Sequence, residues 1–201
     1  MSRIVLVRHG QTVWHAENRY AGRTDVALTP EGHAQAERLA AWAATAKLTG
    51  IWCSTLSRAR LTAEPSARAT GLSLQEDDRI IEVDFGQGEG LTDAEMEQKF
   101  PEARAAFKRD PAKHYLPGGE DPVLVAQRGV EGLQAIAAAT GSGRALVVCH
   151  NTFIRITLCK LLGIPLGRYR SVFPKLANGT LTEIDLTPGN AALLSFNSPL
   201  I

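Results

Sequence analysis

Three short runs of this chain are apolar at every position: Ile4-Val5-Leu6-Val7, Ile51-Trp52-Cys53 and Ala145-Leu146-Val147-Val148-Cys149. A strand with one wet face alternates polar and apolar side chains, whereas an unbroken apolar run of this length belongs to a strand covered on both faces. Helix-type sequence follows each run. A polar, glycine-containing loop over residues 10–25 leads to Thr29-Pro30, an N-cap followed by an N1 proline. Ala34, Leu39, Ala40, Trp42 and Ala43 then carry an apolar stripe through a helix that ends near Gly50. Residues 56–69 are rich in Ala and Arg with no glycine before Gly71, which predicts a helix directly behind the second run. A strand ending at Ile80-Ile81 comes next, then a small helix opened by the capping box Thr92-Asp93-Ala94-Glu95 and a helical piece between Pro101 and Pro111. The spacing predicts further helices over 123–139, despite Gly129 and Gly132, and from about 152 to 162. Alternation over 180–186, and more weakly over 192–196, predicts strands near the C-terminus.

Parallel strands need crossover connections, so this order predicts an α/β fold: a doubly wound, mostly parallel sheet with helices on both faces. The 201 residues suit a single domain, 1–201, in which the stretch 84–119 reads as a small lid or cap inserted into the sheet topology. No internal repeat or low-complexity tract divides it. Lys and Arg number 22 against 21 Asp and Glu, a net charge of +1, and no dense basic run interleaved with aromatics argues for a nucleic-acid partner. Cys53, Cys149 and Cys159 lie in apolar stretches without C-x-x-C spacing, which points away from disulfides or a zinc knuckle and toward a reducing compartment. With no signal-type apolar region after Met1-Ser2-Arg3 and no stretch of spanning length, the expectation is a cytoplasmic protein without a membrane partner. A homodimer stays open at this level.

Ligands of such sheets collect at the carboxyl ends of the strands, and His9, Ser54, Glu82 and His150 each follow the end of a predicted strand. In Arg8-His9-Gly10 a neutral imidazole, a competent nucleophile near neutral pH, stands beside a fixed cation able to hold phosphate. Hydrolysis of a phosphate monoester asks for a nucleophile in line with phosphorus, cations around the non-bridging oxygens and an acid for the departing alkoxide. His9 is the candidate nucleophile, Arg8 and Arg58 the phosphate clamps, His150 a further donor that a bound dianion would favour in its cationic form, and Glu82 the candidate acid.

The segments L-V-R-H-G-Q-T at 6–12, A-L-T-P-E-G-H-A-Q-A at 27–36, S-T-L-S-R-A-R-L-T-A at 54–63, E-V-D-F-G-Q-G-E-G-L-T at 82–92, P-G-G-E at 117–120 and V-V-C-H at 147–150 run in the order of a known family. On them the chain resembles the histidine phosphatase superfamily, in its phosphoglycerate-mutase-like branch. The resemblance implies a phosphohistidine at His9, phosphate held by Arg8, Arg58 and His150, proton donation by Glu82, and neither metal nor other cofactor. It also implies a small phosphorylated metabolite as partner, with Gln11, Thr12, His15, Asn18, Gly22, Asn151 and Thr152 on the substrate side. Two positions depart from the pattern. His15 stands where the family usually has a phosphate-touching asparagine, with Asn18 three residues on, and Asn151 stands where a glycine commonly follows the second histidine. The resembling mutases carry a longer insertion and an arginine beside the acid; here Val83 takes that place, which favours hydrolysis over phosphoryl shuttling. Lys113 and Tyr115 could reach a leaving group from the insert or lie on the surface, and His33 and His114 receive no role.

Four other readings compete. Mutase-type transfer and a non-catalytic phosphate-ligand binding protein use the same residues, while a metal-dependent hydrolase lacks the Asp/His ligand spacing. A cysteine mechanism has its own motif, since Cys149 and Arg155 satisfy C-x5-R between a strand and a helix; yet Phe153 and Ile154 are poor material for an anion nest. The comparison of Cys149→Ser with His9→Ala on a simple aryl phosphate separates these chemistries. Turnover should survive the first substitution and vanish with the second; the reverse pattern would place the nucleophile on sulfur.

Overall fold

The computed structural model describes residues 2–200. Strands β1 (Ser2–Arg8), β2 (Gly50–Cys53), β3 (Leu74–Glu76) and β4 (Arg144–Cys149) pair in parallel in the order β3-β2-β4-β1. β5 (Leu181–Thr187) and β6 (Asn190–Ser198) continue the sheet beyond β1 as an antiparallel hairpin, so that β5 alone runs against the other strands. Helices α1 (Pro30–Ala43) and α2 (Ser57–Thr70) cover one face and α5 (Pro122–Thr140) and α6 (Asn151–Leu161) the other. The apolar runs explain this layering: Val5 and Val7 pack with Leu39, Ala59 and Ala63, while Ile4 and Leu6 pack with Leu133 and Phe153 on the opposite side. The doubly wound α/β architecture read from the sequence is the one observed.

Local signals set most boundaries. The Thr29 side chain accepts from Gly32 N as the N-cap of α1, with Pro30 at N1. That helix stops at Ala43, short of the expected end near Gly50, where Lys47 takes a left-handed backbone (φ 54°) that turns the chain toward β2. The strand expected to end at Ile80-Ile81 is not formed. β3 closes at Glu76, and the Asp77 side chain accepts from Arg79 N to open a 3-10 turn over Asp78–Ile80. Ile80 is buried, but against a helix: a Cβ on Gly132 of α5 would lie only 3.2 Å from Ile80 Cγ2, a tight approach. Gly129 plays the same part toward α6, where a Cβ would come within 2.3 Å of Thr157 Oγ1. The two glycines that weaken the helical pattern of α5 thus stand where neighbouring segments approach it closely.

Residues 84–119 leave and rejoin the body at adjacent points, Glu120 N donating to Asp84 O at 2.9 Å. They carry α3 (Asp93–Lys99), opened by the expected Thr92 and Glu95 capping box, and α4 (Pro101–Arg109). Met96, Phe107 and Leu116 are buried and belong to the same core cluster as α5 and α6. A four-residue helix, α7 (Tyr169–Val172), has no counterpart in the sequence reading. Among the described residues no helix is long and apolar enough to cross a membrane.

The loop after β1 is pinned by small residues and one hydroxyl. Gly10 and Gly32 lie back to back, and a Cβ on Gly32 would meet Gln11 O at 2.1 Å. Thr62 Oγ1 accepts from Gly10 N at 2.9 Å and donates to Arg58 O at 2.7 Å, which ties the Arg8-His9-Gly10 segment to α2. Thr62→Val should lower stability by about 1–3 kcal/mol, the cost of leaving a buried N–H without a partner. At roughly 2–4 °C per kcal/mol for a chain of this size, thermal unfolding followed by calorimetry should show a drop of at least ~2 °C. An unchanged melting temperature would mean that this hydroxyl does not secure the loop.

Candidate active site

Strand register brings the two histidines together. Arg8 pairs with Cys149 at the last step of the β1–β4 ladder, and His9 N donates to Cys149 O at 3.0 Å, so His9 and His150 leave the sheet side by side. Their ring centroids are 5.2 Å apart. Ser54 leaves β2 in the next position, its N–H bonded to Val148 O at 3.0 Å. The three residues thus stand in one row at the carboxyl edge.

His9 is 5 % exposed, and its Nδ1 lies 2.8 Å from Gly10 O. A carbonyl only accepts, so Nδ1 carries the proton and Nε2 holds the lone pair. Burial, with Arg58 and Arg8 adding repulsion, holds the His9 imidazole well below its usual range and therefore neutral. Asn178 Nδ2 donates to His9 O at 2.7 Å and braces this backbone from the segment before β5. His150 is fully buried and held neutral by burial and by Arg58. Its Nε2 lies 2.7 Å from Ser54 Oγ, while Nδ1 is buried without a partner. If Ser54 donates, Nδ1 carries the proton and is free to give it to an anion.

The guanidinium groups are fixed by carbonyls rather than carboxylates. Arg58, in the first turn of α2, donates from Nη1 to Thr24 O (2.8 Å) and from Nη2 to Gly22 O (2.5 Å). Arg8 donates from Nη1 to Leu176 O (2.6 Å) and from Nη2 to His15 Nε2 (2.6 Å). Both keep a buried Nε without a partner. Burial lowers the Arg8 pKa to about 10, against the nearby Glu82 charge and with Arg155 and Arg58 pushing the same way. Carbonyl partners hold these forks in place without neutralising them.

Glu82 is 6 % exposed and anchored at the start of α6: Oε1 accepts from Val83 N (2.9 Å) and Phe153 N (2.8 Å), Oε2 from Thr152 N (3.1 Å). It reaches this place from an extended segment two residues beyond the 3-10 turn, not from the end of a strand as expected. Arg128 of α5 makes that placement possible. Its guanidinium donates to the carbonyls of Arg79, Ile81 and Glu82 at 2.8, 2.8 and 3.1 Å and pairs with Glu120 through Nε at 2.8 Å. An arginine facing three consecutive-turn carbonyls carries no sequence signature, and sequence reasoning missed it.

Arg8, His9, Arg58 and Glu82 open onto one cavity of about 550 Å³, with His150 behind them. Thr12, His15, Asn18, Gly22, Asn151 and Thr152 of the expected substrate side also line it. Gln11 does not: its Oε1 accepts from Thr29 Oγ1 at 2.8 Å and its N–H is taken by Gln35, so it secures the start of α1. His15 occupies the place expected of an asparagine, against Arg8 and Thr12, and burial and the Arg8 charge lower its pKa to about 4. Asn151 keeps Oδ1 buried without a partner. Arg155, Tyr169 and Arg170, none of them foreseen as substrate-side residues, complete the wall from α6 and α7. Lys113 and Tyr115 are not among the lining residues.

The cysteine alternative does not fit this geometry. Cys149 is fully buried in the core cluster of α5 and α6, burial raises its thiol pKa, and the amides of Thr152 and Phe153 that would cradle an anion are already bound to Glu82. Among the described residues no group of three or more His, Cys, Asp or Glu side chains is placed to hold a metal ion.

The chain is 33 % identical over 171 residues to phosphoserine phosphatase 1 of Hydrogenobacter thermophilus, spanning 85 % of this chain and 81 % of the relative. It is 30 % identical over 185 residues to a probable phosphoglycerate mutase, GpmB, of Erwinia tasmaniensis, spanning 92 % and 85 %. The solved structure of Bacillus stearothermophilus YhfR superposes with a TM-score of 0.92 at 28 % identity, over 99 % of this chain and 98 % of that one. Residues 4–199 match the profile described as histidine phosphatase superfamily (branch 1), and the chain belongs to that family.

Proposed function

We propose that the protein hydrolyses small-molecule phosphate monoesters through a phosphohistidine at His9. The observation that carries this reading is the 2.8 Å contact of His9 Nδ1 with Gly10 O, which leaves Nε2 as an unprotonated nitrogen at the mouth of a cavity ringed by arginines. The phosphoryl group lies against Nε2, its non-bridging oxygens within reach of Arg8, Arg58 and His150 Nδ1. Nε2 attacks phosphorus, the P–O bond to the leaving group breaks, and Glu82 gives its proton to the departing oxygen. Water then attacks phosphorus and the P–N bond breaks. The Glu82 carboxylate takes the water proton, so that alcohol and inorganic phosphate leave and the site is restored.

Placement supports the acid role: the amides of Val83, Thr152 and Phe153 fix the Glu82 carboxyl group in the wall of the cavity onto which His9 opens. Arg128 acts as a positioning residue through the backbone of Glu82. The excursion over 84–119 supplies Phe85 and Asp93 to the cavity wall, which supports a role for it as a cap over the leaving group.

Glu82→Gln should reduce kcat/KM on alkyl phosphates by about 10²–10⁴-fold, the usual worth of a positioned acid, and far less on 4-nitrophenyl phosphate, whose leaving group departs without a proton. Equal losses on both substrates would remove Glu82 from that role. With 3-phosphoglycerate, a hydrolase releases inorganic phosphate and a mutase gives 2-phosphoglycerate; phosphorus NMR of the products decides between the two.

The imidazole environment yields a separate test. Because both rings are held below their usual range, each is neutral above its own lowered pKa, and neither should take up a proton near the ordinary value of about 6.5. Proton–nitrogen NMR of the ligand-free protein should show no titration step for His9 or His150 around that pH, the loss of the nucleophile lying at lower pH. A step at about 6.5 for His9 would contradict the site as described.

A further inference from the structure

Four guanidinium groups line the cavity without a carboxylate partner: Arg8, Arg58, Arg155 and Arg170. Arg19 is paired with Glu17 and Glu95, and Asp93 of the wall with Arg104, so Glu82 is the one carboxylate left to face them. A phosphate dianion and Glu82 together leave the site with positive charge to spare. Part of that charge sits on α6 and α7, at Arg155 and Arg170.

Arg155 is the telling member. It is 8 % exposed, its Nε is buried without a partner, and no acceptor among the described residues takes its terminal nitrogens. Its guanidinium carbon lies 5.0 Å from the centroid of the Tyr169 ring, a stacking that fixes the plane of the fork while leaving its edge unpaired. Arg170 stands beside it on α7, its Nε 3.0 Å from Tyr169 Oη and its guanidinium carbon 4.6 Å from the Phe107 ring centroid. A desolvated, unpaired cation is costly unless a ligand completes it. Arg155 follows Asn151 by four residues on α6, roughly 6 Å along the helix axis, so its partner is a few bonds from a phosphoryl group at His9.

We propose that Arg155, with Arg170 beside it, binds a carboxylate on the leaving group, and that the preferred substrates are phosphate esters of short hydroxy acids. This rests on the phosphatase reading above. A planar carboxylate matches the guanidinium fork with two parallel hydrogen bonds.

The test uses a matched pair, 3-phosphoglycerate and glycerol 3-phosphate, which differ by a carboxylate against a hydroxymethyl group. Wild type should favour the first in kcat/KM, and Arg155→Met should shrink that preference by at least about tenfold, chiefly through KM, as expected for a charge-assisted hydrogen bond. Arg155→Lys, which keeps a point charge without the fork, should fall between them and serves where the methionine variant folds poorly. A wild type that treats the two esters alike, or an Arg155 variant that loses both equally, overturns the proposal while leaving the phosphatase reading intact. Stronger wild-type preference for propane-1,3-diol bisphosphate, lost in Arg155→Met, would replace the carboxylate by a second phosphate and equally overturn it. If wild type hydrolyses no ester, 4-nitrophenyl phosphate included, the phosphatase reading fails by itself. Calorimetric binding of the same matched pair to wild type and Arg155→Met then decides the role of Arg155 by the same ratio.

Discussion

The parallel pairing of β1 with β4 is the constraint on which the site depends. Its last rung, Arg8 with Cys149, delivers His9 and His150 to the same edge at the same height. A slip of one residue would turn every side chain of β1 to the other face, taking Val5 and Val7 out of one core cluster and Ile4 and Leu6 out of the other. Register is therefore enforced by burial on two sides at once, and the separation of the imidazoles inherits that precision. Ser54 joins the row because β2 pairs on the other side of β4.

The second organising feature is charge left uncompensated by the protein itself. Arg8 and Arg58 are held by backbone carbonyls, His9 and His150 are kept neutral, and the nearest carboxylate is tied to amides. Ion pairs with acidic side chains would stabilise the empty fold and weaken the phosphate site by the same interaction. The scaffold instead spends hydrogen bonds on orientation and leaves the net field for the ligand. Elsewhere in the molecule the arginines are treated differently: Arg128 and Arg104 each have a carboxylate partner, and they support the site rather than touch its ligand.

Much of this was legible in the sequence, and the parts that were not share a physical reason. Unbroken apolar runs, the Thr29-Pro30 cap and the Thr92 to Glu95 box are local signals, and they set strands and helices where the structure has them. His9, Arg8, Arg58, Glu82 and His150 stood out because their motifs fall in order along the chain, and all five meet in space. Ile80-Ile81 misled because an apolar pair behind a polar segment looks alike in a strand and in a turn packed on a helix. The deciding contact, Gly132 of α5, is some fifty residues away. Arg128 and Asn178 escaped notice for the same reason: each acts on a partner distant in sequence, and nothing in its neighbours announces it. Arg155 drew notice only as the end of the C-x5-R spacing, not as part of the cavity wall. Gln11 erred the other way, since proximity to His9 in sequence did not turn its side chain into the cavity.

The start of α6 shows how one motif can carry two incompatible readings until its hydrogen bonds are counted. A helix N-terminus beside a phosphate site ordinarily offers its free amides to the anion. Here Glu82 occupies those of Thr152 and Phe153. That exchange gives the acid a rigid seat built from backbone, and it moves the cationic work onto Arg8 and Arg58. It also disarms the Cys149 to Arg155 spacing: the sulfur is sealed on the core side of β4, and the arginine projects one turn further along α6 into the same cavity. The arginine of the apparent thiolate motif is thereby free for the leaving-group side, four residues past Asn151, where the protein supplies it with an aromatic face and no counterion.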